Sequence, residues 1–117
     1  MREYDSEQVQ KLVTGVPFVD QPTERLCPAC GVKSVRIYMY RPEGTRRPTR
    51  ITYAWCASCR HFKGWTGPDF GEIDFNDPLS SLSIEQRKSM QMDLESFMSQ
   101  LDRLWEFGQL PQHFVRK

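Results

Sequence analysis

Cys27-Pro28-Ala29-Cys30-Gly31 and Cys56-Ala57-Ser58-Cys59 are two C-x-x-C turns separated by 25 residues, and their reading decides how this 117-residue chain folds. A tetrahedral metal ion needs four donors converging from different directions. Each C-x-x-C turn supplies two, because its amides curl round the first sulfur while the second swings to the same point. Gly31 suits the positive φ that closes such a turn; the second turn has Arg60 at that place. Two disulfides are the competing arrangement. The polar start, Met1 to Gln10, lacks the apolar centre of a secretory signal, so a reducing, cytoplasmic setting and a metal are expected instead. A thioredoxin-like pair would need a single C-x-x-C beside a βαβ pattern, and none is visible. The expected cofactor is therefore one structural Zn2+ held by Cys27, Cys30, Cys56 and Cys59, with iron as the alternative metal. Four protein ligands leave no open position for a substrate, which argues against metal catalysis.

The residues between the turns read as a hairpin. Val35 to Tyr40 and Arg50 to Trp55 are rich in β-branched and aromatic residues, and Pro42, Gly44 and Pro48 punctuate the connection. Opposing Val35 with Trp55, Ile37 with Tyr53 and Met39 with Ile51 places three apolar pairs on one face. A third strand is expected at residues 60–65. Two knuckles at the base of a short antiparallel sheet resemble the zinc ribbon over residues 26–66. The resemblance implies an α+β fold: a three-stranded ribbon with a long C-terminal amphipathic helix packed on it.

That helix is expected over residues 83–108. Ser83-Ile84-Glu85-Gln86 is a capping box, Gly108 suits a left-handed stop, and Pro111 bars continuation. Met90, Leu94, Phe97, Leu101 and Leu104 form a stripe, widened by Met98 and Trp105 to core-facing width. The stripe spans only about two heptads, so a monomer is favoured over a coiled-coil dimer. A short helix is expected over Asp5 to Val13. One domain results, comprising an N-terminal segment (1–24), the ribbon (25–67), an acidic loop (68–82), the helix (83–108) and a tail (109–117). No apolar run approaches the roughly 20 residues of a membrane helix.

Charge is strongly divided along the chain. The four segments 1–24, 25–67, 68–107 and 116–117 carry −3, +8, −6 and +2, for a net of +1. One reading makes these surfaces for partners. Asp69, Glu72 and Asp74 in the loop, with Glu95, Asp102 and Glu106 on the helix, would meet a protein with a basic surface. Alternatively Arg36, Tyr38, Tyr40, Arg46, Arg47 and Arg50 would bind nucleic acid, bases stacking on rings and guanidinium groups holding phosphate. In the other reading the acidic segment folds back and neutralises the basic one, with the tyrosines beneath the helix. A pI near 7.7 tilts the choice towards a protein partner.

No nucleophile elbow, P-loop or H-E-x-x-H stands in the sequence, and its two histidines, His61 and His113, lack an evident catalytic partner. A non-enzymatic binding protein is expected. Small stand-alone ribbons with an added helix are similar to some bacterial immunity proteins, which implies an inhibitor that neutralises a cognate toxin. The alternative resemblance is to nucleic-acid-binding ribbons of the transcription and translation machinery.

Overall fold

A computed structural model describes residues 1–117. The elements in chain order are β1 (Arg2–Glu3), α1 (Ser6–Val13), β2 (Arg25–Leu26), β3 (Lys33–Tyr40), β4 (Thr49–Cys56), β5 (His61–Pro68), β6 (Ile73–Phe75), α2 (Ile84–Met92), α3 (Leu94–Glu106) and β7 (Phe114–Arg116). The fold is α+β. Its sheet is wider than the expected three antiparallel strands: five strands run in the order β1-β5-β4-β3-β2, with β1 parallel to β5. Residues expected as acidic loop and tail also contribute β6 and β7, which pair with each other.

The β3–β4 register is one residue removed from the expected one. Val35 faces Cys56, Ile37 faces Ala54, Tyr38 faces Tyr53 and Tyr40 faces Ile51. The expectation matched Val35, Ile37 and Met39 with Trp55, Tyr53 and Ile51 on one face, whereas those three β4 residues lie on the other face with Tyr38 and Tyr40. This sheet is covered on both, so each strand needs apolar residues at odd and even positions alike. On one face Tyr38, Tyr40 and Trp55 pack with Phe97, Met98, Leu101 and Leu104 of α3. On the other, Val35, Ile37, Ala54 and Cys56 pack with Tyr4 and Leu12 of the N-terminal segment. The apolar stripe of α3 is thus consumed within the chain. Phe97 meets Tyr38 and Tyr53 edge-on, at ring separations of 6.3 and 5.4 Å. Gly64, opposite Tyr53, leaves room for that ring: a Cβ there would approach it to 3.2 Å.

The expected single helix over 83–108 is two. Asp93 takes extended dihedrals, ends α2 and caps α3, its carboxylate accepting from the Ser96 amide and hydroxyl. A capping side chain satisfies amides that the preceding turn would otherwise hold, so the stripe continues in sequence while the backbone breaks. α2 buries no residue, whereas α3 buries four.

Gln112 completes the sheet from a distance. Its carboxamide accepts from Met39 N–H at 2.9 Å, donates to Met39 C=O at 2.7 Å and donates to Asn76 C=O at 2.6 Å. The side chain is buried and does the work of a missing strand residue at the β3 edge. Gln112→Ala should lower unfolding stability by about 2–4 kcal/mol, because it strands buried backbone groups away from water. Chemical denaturation would measure the loss.

Candidate metal centre

The four cysteines converge. Their sulfurs all lie within 4.8 Å of one another, with Cys27 to Cys59 at 3.6 Å and Cys30 to Cys56 at 3.7 Å. A zinc tetrahedron with bonds of ~2.3 Å has sulfur–sulfur edges of ~3.8 Å, so the donor set fits such an ion. Disulfide bonding would require sulfurs at ~2 Å, and all four cysteines are free.

Local backbone explains the convergence. Each turn closes with an amide donated to the carbonyl of its first cysteine, from Gly31 to Cys27 at 2.8 Å and from Arg60 to Cys56 at 3.0 Å. The amides of Ala29 and Cys59 point at the sulfurs of Cys27 and Cys56, both at 3.4 Å. The closing residues are left-handed, Gly31 at φ 77° and Arg60 at φ 66°. Arg60 is the one non-glycine residue in this chain with positive φ, a conformation costing on the order of 1 kcal/mol or more. Its guanidinium is held at 2.6 Å by Asp102 of α3.

Side chains surround the sulfurs. Tyr4 Oη lies 3.0 Å from Cys27 Sγ, Ser34 Oγ 3.0 Å from Cys56 Sγ, and His61 Nδ1 3.2 Å from Cys59 Sγ. The Tyr4 ring stacks on His61 at 5.3 Å. With the sulfurs as thiolates, each of these groups is placed to donate. Burial opposes ionisation of Cys56, but the Cys59 amide and Ser34 hydroxyl outweigh it and bring this thiol down to about 7. Burial pushes Cys59 up to about 12, and hydrogen bonds with the neighbouring thiols add to the rise. Bringing all four sulfurs to the thiolate form at this spacing would take a cation among them. Bound zinc would supply fold stabilisation there, by joining the two knuckles.

The sequence reading passed over Tyr4 and Ser34 and found no catalytic partner for His61. C-x-x-C spacing carries no information about residues reaching the site from another strand. Tyr4 arrives through the parallel pairing of β1 with β5, including Tyr4 N–H to Phe62 C=O at 2.9 Å.

The charged residues read as partner surfaces mostly face one another. Arg36 binds Glu24 at 3.2 Å and Asp102 at 2.9 Å. Arg50 binds Glu72 at 2.8 Å, and Arg41 binds Asp69. Asp74 meets Lys117 at 3.4 Å. Asp102 also accepts from Trp55 Nε1 at 2.8 Å, so it belongs to the interior rather than to an acidic ridge. Glu95 and Glu106 are exposed and make no ion pair.

Tyr38 and Tyr40 are buried, so neither ring is free to stack on a base. Tyr38 donates to Asp77 at 2.6 Å and accepts from Arg87 at 2.8 Å, while the Arg87 guanidinium lies 4.1 Å over the Tyr40 ring. Of the proposed nucleic-acid residues, Arg46 and Arg47 at the β3–β4 turn remain exposed without an ion pair. The strand register explains the difference. It sends Arg36, Tyr38 and Tyr40 to the α3 face, where carboxylates and a hydrophobic helix await them.

The sheet face opposite α3 carries a groove of about 370 Å3. Val13, Phe18, Val19, Met39, Trp65 and Ile73 form its apolar walls, with Arg50, Glu72 and Arg116 at the rim. Asp20 holds Arg116 at 2.6 and 2.9 Å, and Asp69 stands 3.8 Å from Arg50. The rim cations are therefore already neutralised, and Glu72 Oε2 is left without a hydrogen-bond partner. No protein-family model, curated protein or solved structure matches this chain.

Proposed function

We propose that this chain is a non-enzymatic zinc-ribbon module with one structural zinc ion, and that its groove takes a basic, apolar-tipped segment of a protein partner. Inhibition of that partner, in the manner of an immunity protein neutralising its toxin, is the form of action we favour. The groove is the observation that supports a protein partner. Its apolar walls suit a buried anchor side chain. At the rim, Arg50 and Arg116 are already paired with Glu72 and Asp20, and the second oxygen of Glu72 has no partner, which favours a neighbour that donates, such as a basic side chain. Exposed Glu95 and Glu106 lie on α3, which covers the other sheet face, and so stand apart from this groove.

Affinity capture of the tagged chain from its native cells, with and without nuclease, tests this reading. One basic protein recovered in equal ratio and indifferent to nuclease is expected. Val13→Lys places a cation at an exposed groove position in the last turn of α1, where a cation is tolerated. It should weaken that binding at least about tenfold by repulsion, without unfolding the chain.

The free pair Arg46 and Arg47 supports a second reading, nucleic-acid binding by the β3–β4 turn. Recovery of RNA or DNA with nuclease-sensitive companions would favour it. Arg46→Ala with Arg47→Ala would then reduce the salt slope of binding by about 2.

A further inference from the structure

We infer that Cys30 is the modification site of the metal centre: its sulfur reacts first with soft electrophiles such as maleimides and α,β-unsaturated carbonyls. The inference rests on the zinc-centre reading above and concerns how unequal the four ligands are. Cys27 and Cys56 are buried, with 3% and 0% exposure, and Cys59 is partly covered, whereas Cys30 is exposed. The hydrogen bonds follow the same asymmetry. Tyr4, Ser34 and His61 serve Cys27, Cys56 and Cys59, and no side-chain hydroxyl or ring nitrogen serves Cys30.

A donor on a thiolate draws on the lone pair that would attack an electrophile, and the donor group also blocks the approach. Three sulfurs are thus damped and covered. Cys30 takes no hydroxyl or ring donor, only the Val32 amide, and keeps its access. Its neighbours Ala29 and Gly31 are exposed too and bring almost no side-chain bulk.

The step balances without an oxidant. The Cys30 sulfur attacks the β-carbon of the unsaturated carbonyl, and the S–C bond forms as the C=C π pair moves to the α-carbon. That carbon then takes a proton from water. The product is a neutral thioether, a poor metal ligand, so the ion is left with three thiolates and a weakened hold.

The test uses the purified full-length chain with its metal content measured beforehand. It is treated with substoichiometric N-ethylmaleimide, the adduct is mapped by peptide mass spectrometry, and released metal is followed with a colorimetric chelator. We expect single-hit adducts on Cys30 at least about tenfold above any other cysteine, with metal released in step with labelling. His61→Ala removes the donor from partly covered Cys59 and should raise labelling there by about tenfold, with Cys27 and Cys56 still protected. Adducts spread evenly over the four cysteines, or appearing first on Cys27 or Cys56, would overturn the inference while leaving the metal centre intact. A chain that carries no metal would overturn both.

Discussion

Cys56→Ser is expected to give a chain that is unfolded or aggregated, and chelation of the metal from the native chain should do the same. Cys56 is fully buried at the end of β4, where its sulfur meets those of the first knuckle and the Ser34 hydroxyl. Metal binding at a four-cysteine site contributes on the order of 10 kcal/mol to folding. A domain of this size is stable by only roughly 5–15 kcal/mol in total. Losing the ion therefore removes most of the margin or all of it. Far-ultraviolet circular dichroism and thermal melting, before and after chelator, provide the readout. A melt unchanged by either treatment would mean that the two hydrophobic clusters suffice alone.

The second large effect is expected at Asp102. Its carboxylate gathers Arg36 from β3, Trp55 from β4 and Arg60 from the second knuckle, at 2.9, 2.8 and 2.6 Å. It is thus the polar link between α3, the sheet and the second cysteine knuckle. Asp102→Ala leaves the buried Trp55 indole N–H and the Arg60 guanidinium without this acceptor, and Arg36 with Glu24 alone. Stability should fall by about 3–5 kcal/mol, the usual cost of removing one member of a buried ion pair. Arg60→Gly separates the helix link from the backbone strain. It loses one partly exposed ion pair but relaxes a left-handed residue, so its net effect should lie within about 1 kcal/mol of zero. Equal losses in the two variants would show that Arg60, rather than the whole triad, holds α3.

Much of this architecture could be read in advance wherever the signal is local. The C-x-x-C turns predict four converging sulfurs, the β-branched runs predict β3 and β4, and Ser83 with Gln86 makes the capping box seen at α2. Gly108 adopts the left-handed φ, 78°, that suits a helix stop. What escaped prediction depends on long-range pairing. Register turns on whether one sheet face is buried or two, which Val35 to Tyr40 alone do not reveal. Asp93 looks like one more polar residue beside an unbroken stripe until its carboxylate is seen capping Ser96. Gln112 and Tyr4 act across separations of 73 and 23 residues, beyond any periodicity.

Charge teaches the same lesson more sharply. The −6 and +8 segments invite a search for partners, and much of that charge is matched inside the chain. Arg36 and Arg60 meet Asp102, Arg41 meets Asp69, and Arg50 meets Glu72. Burial opposes ionisation of Asp69, yet Arg41 beside it holds its carboxyl below the usual range. A carboxyl depressed on folding contributes stability above its unfolded pKa and loses it as pH falls through the folded value. The Asp69 pair therefore helps the folded state at neutral pH and ceases to do so in acid. The sequence-level asymmetry is in large part the record of a fold that closes on itself.

On the reading proposed above, the two knuckles hold one zinc ion that the fold requires. X-ray absorption at the metal edge of the purified full-length chain tests it most directly, with metal stoichiometry measured on the same sample. One zinc per chain, surrounded by four sulfurs at ~2.3 Å, is the predicted result. A folded chain with no metal, or with sulfurs paired as disulfides, would contradict it, and an iron edge would correct the identity of the ion while keeping its cage.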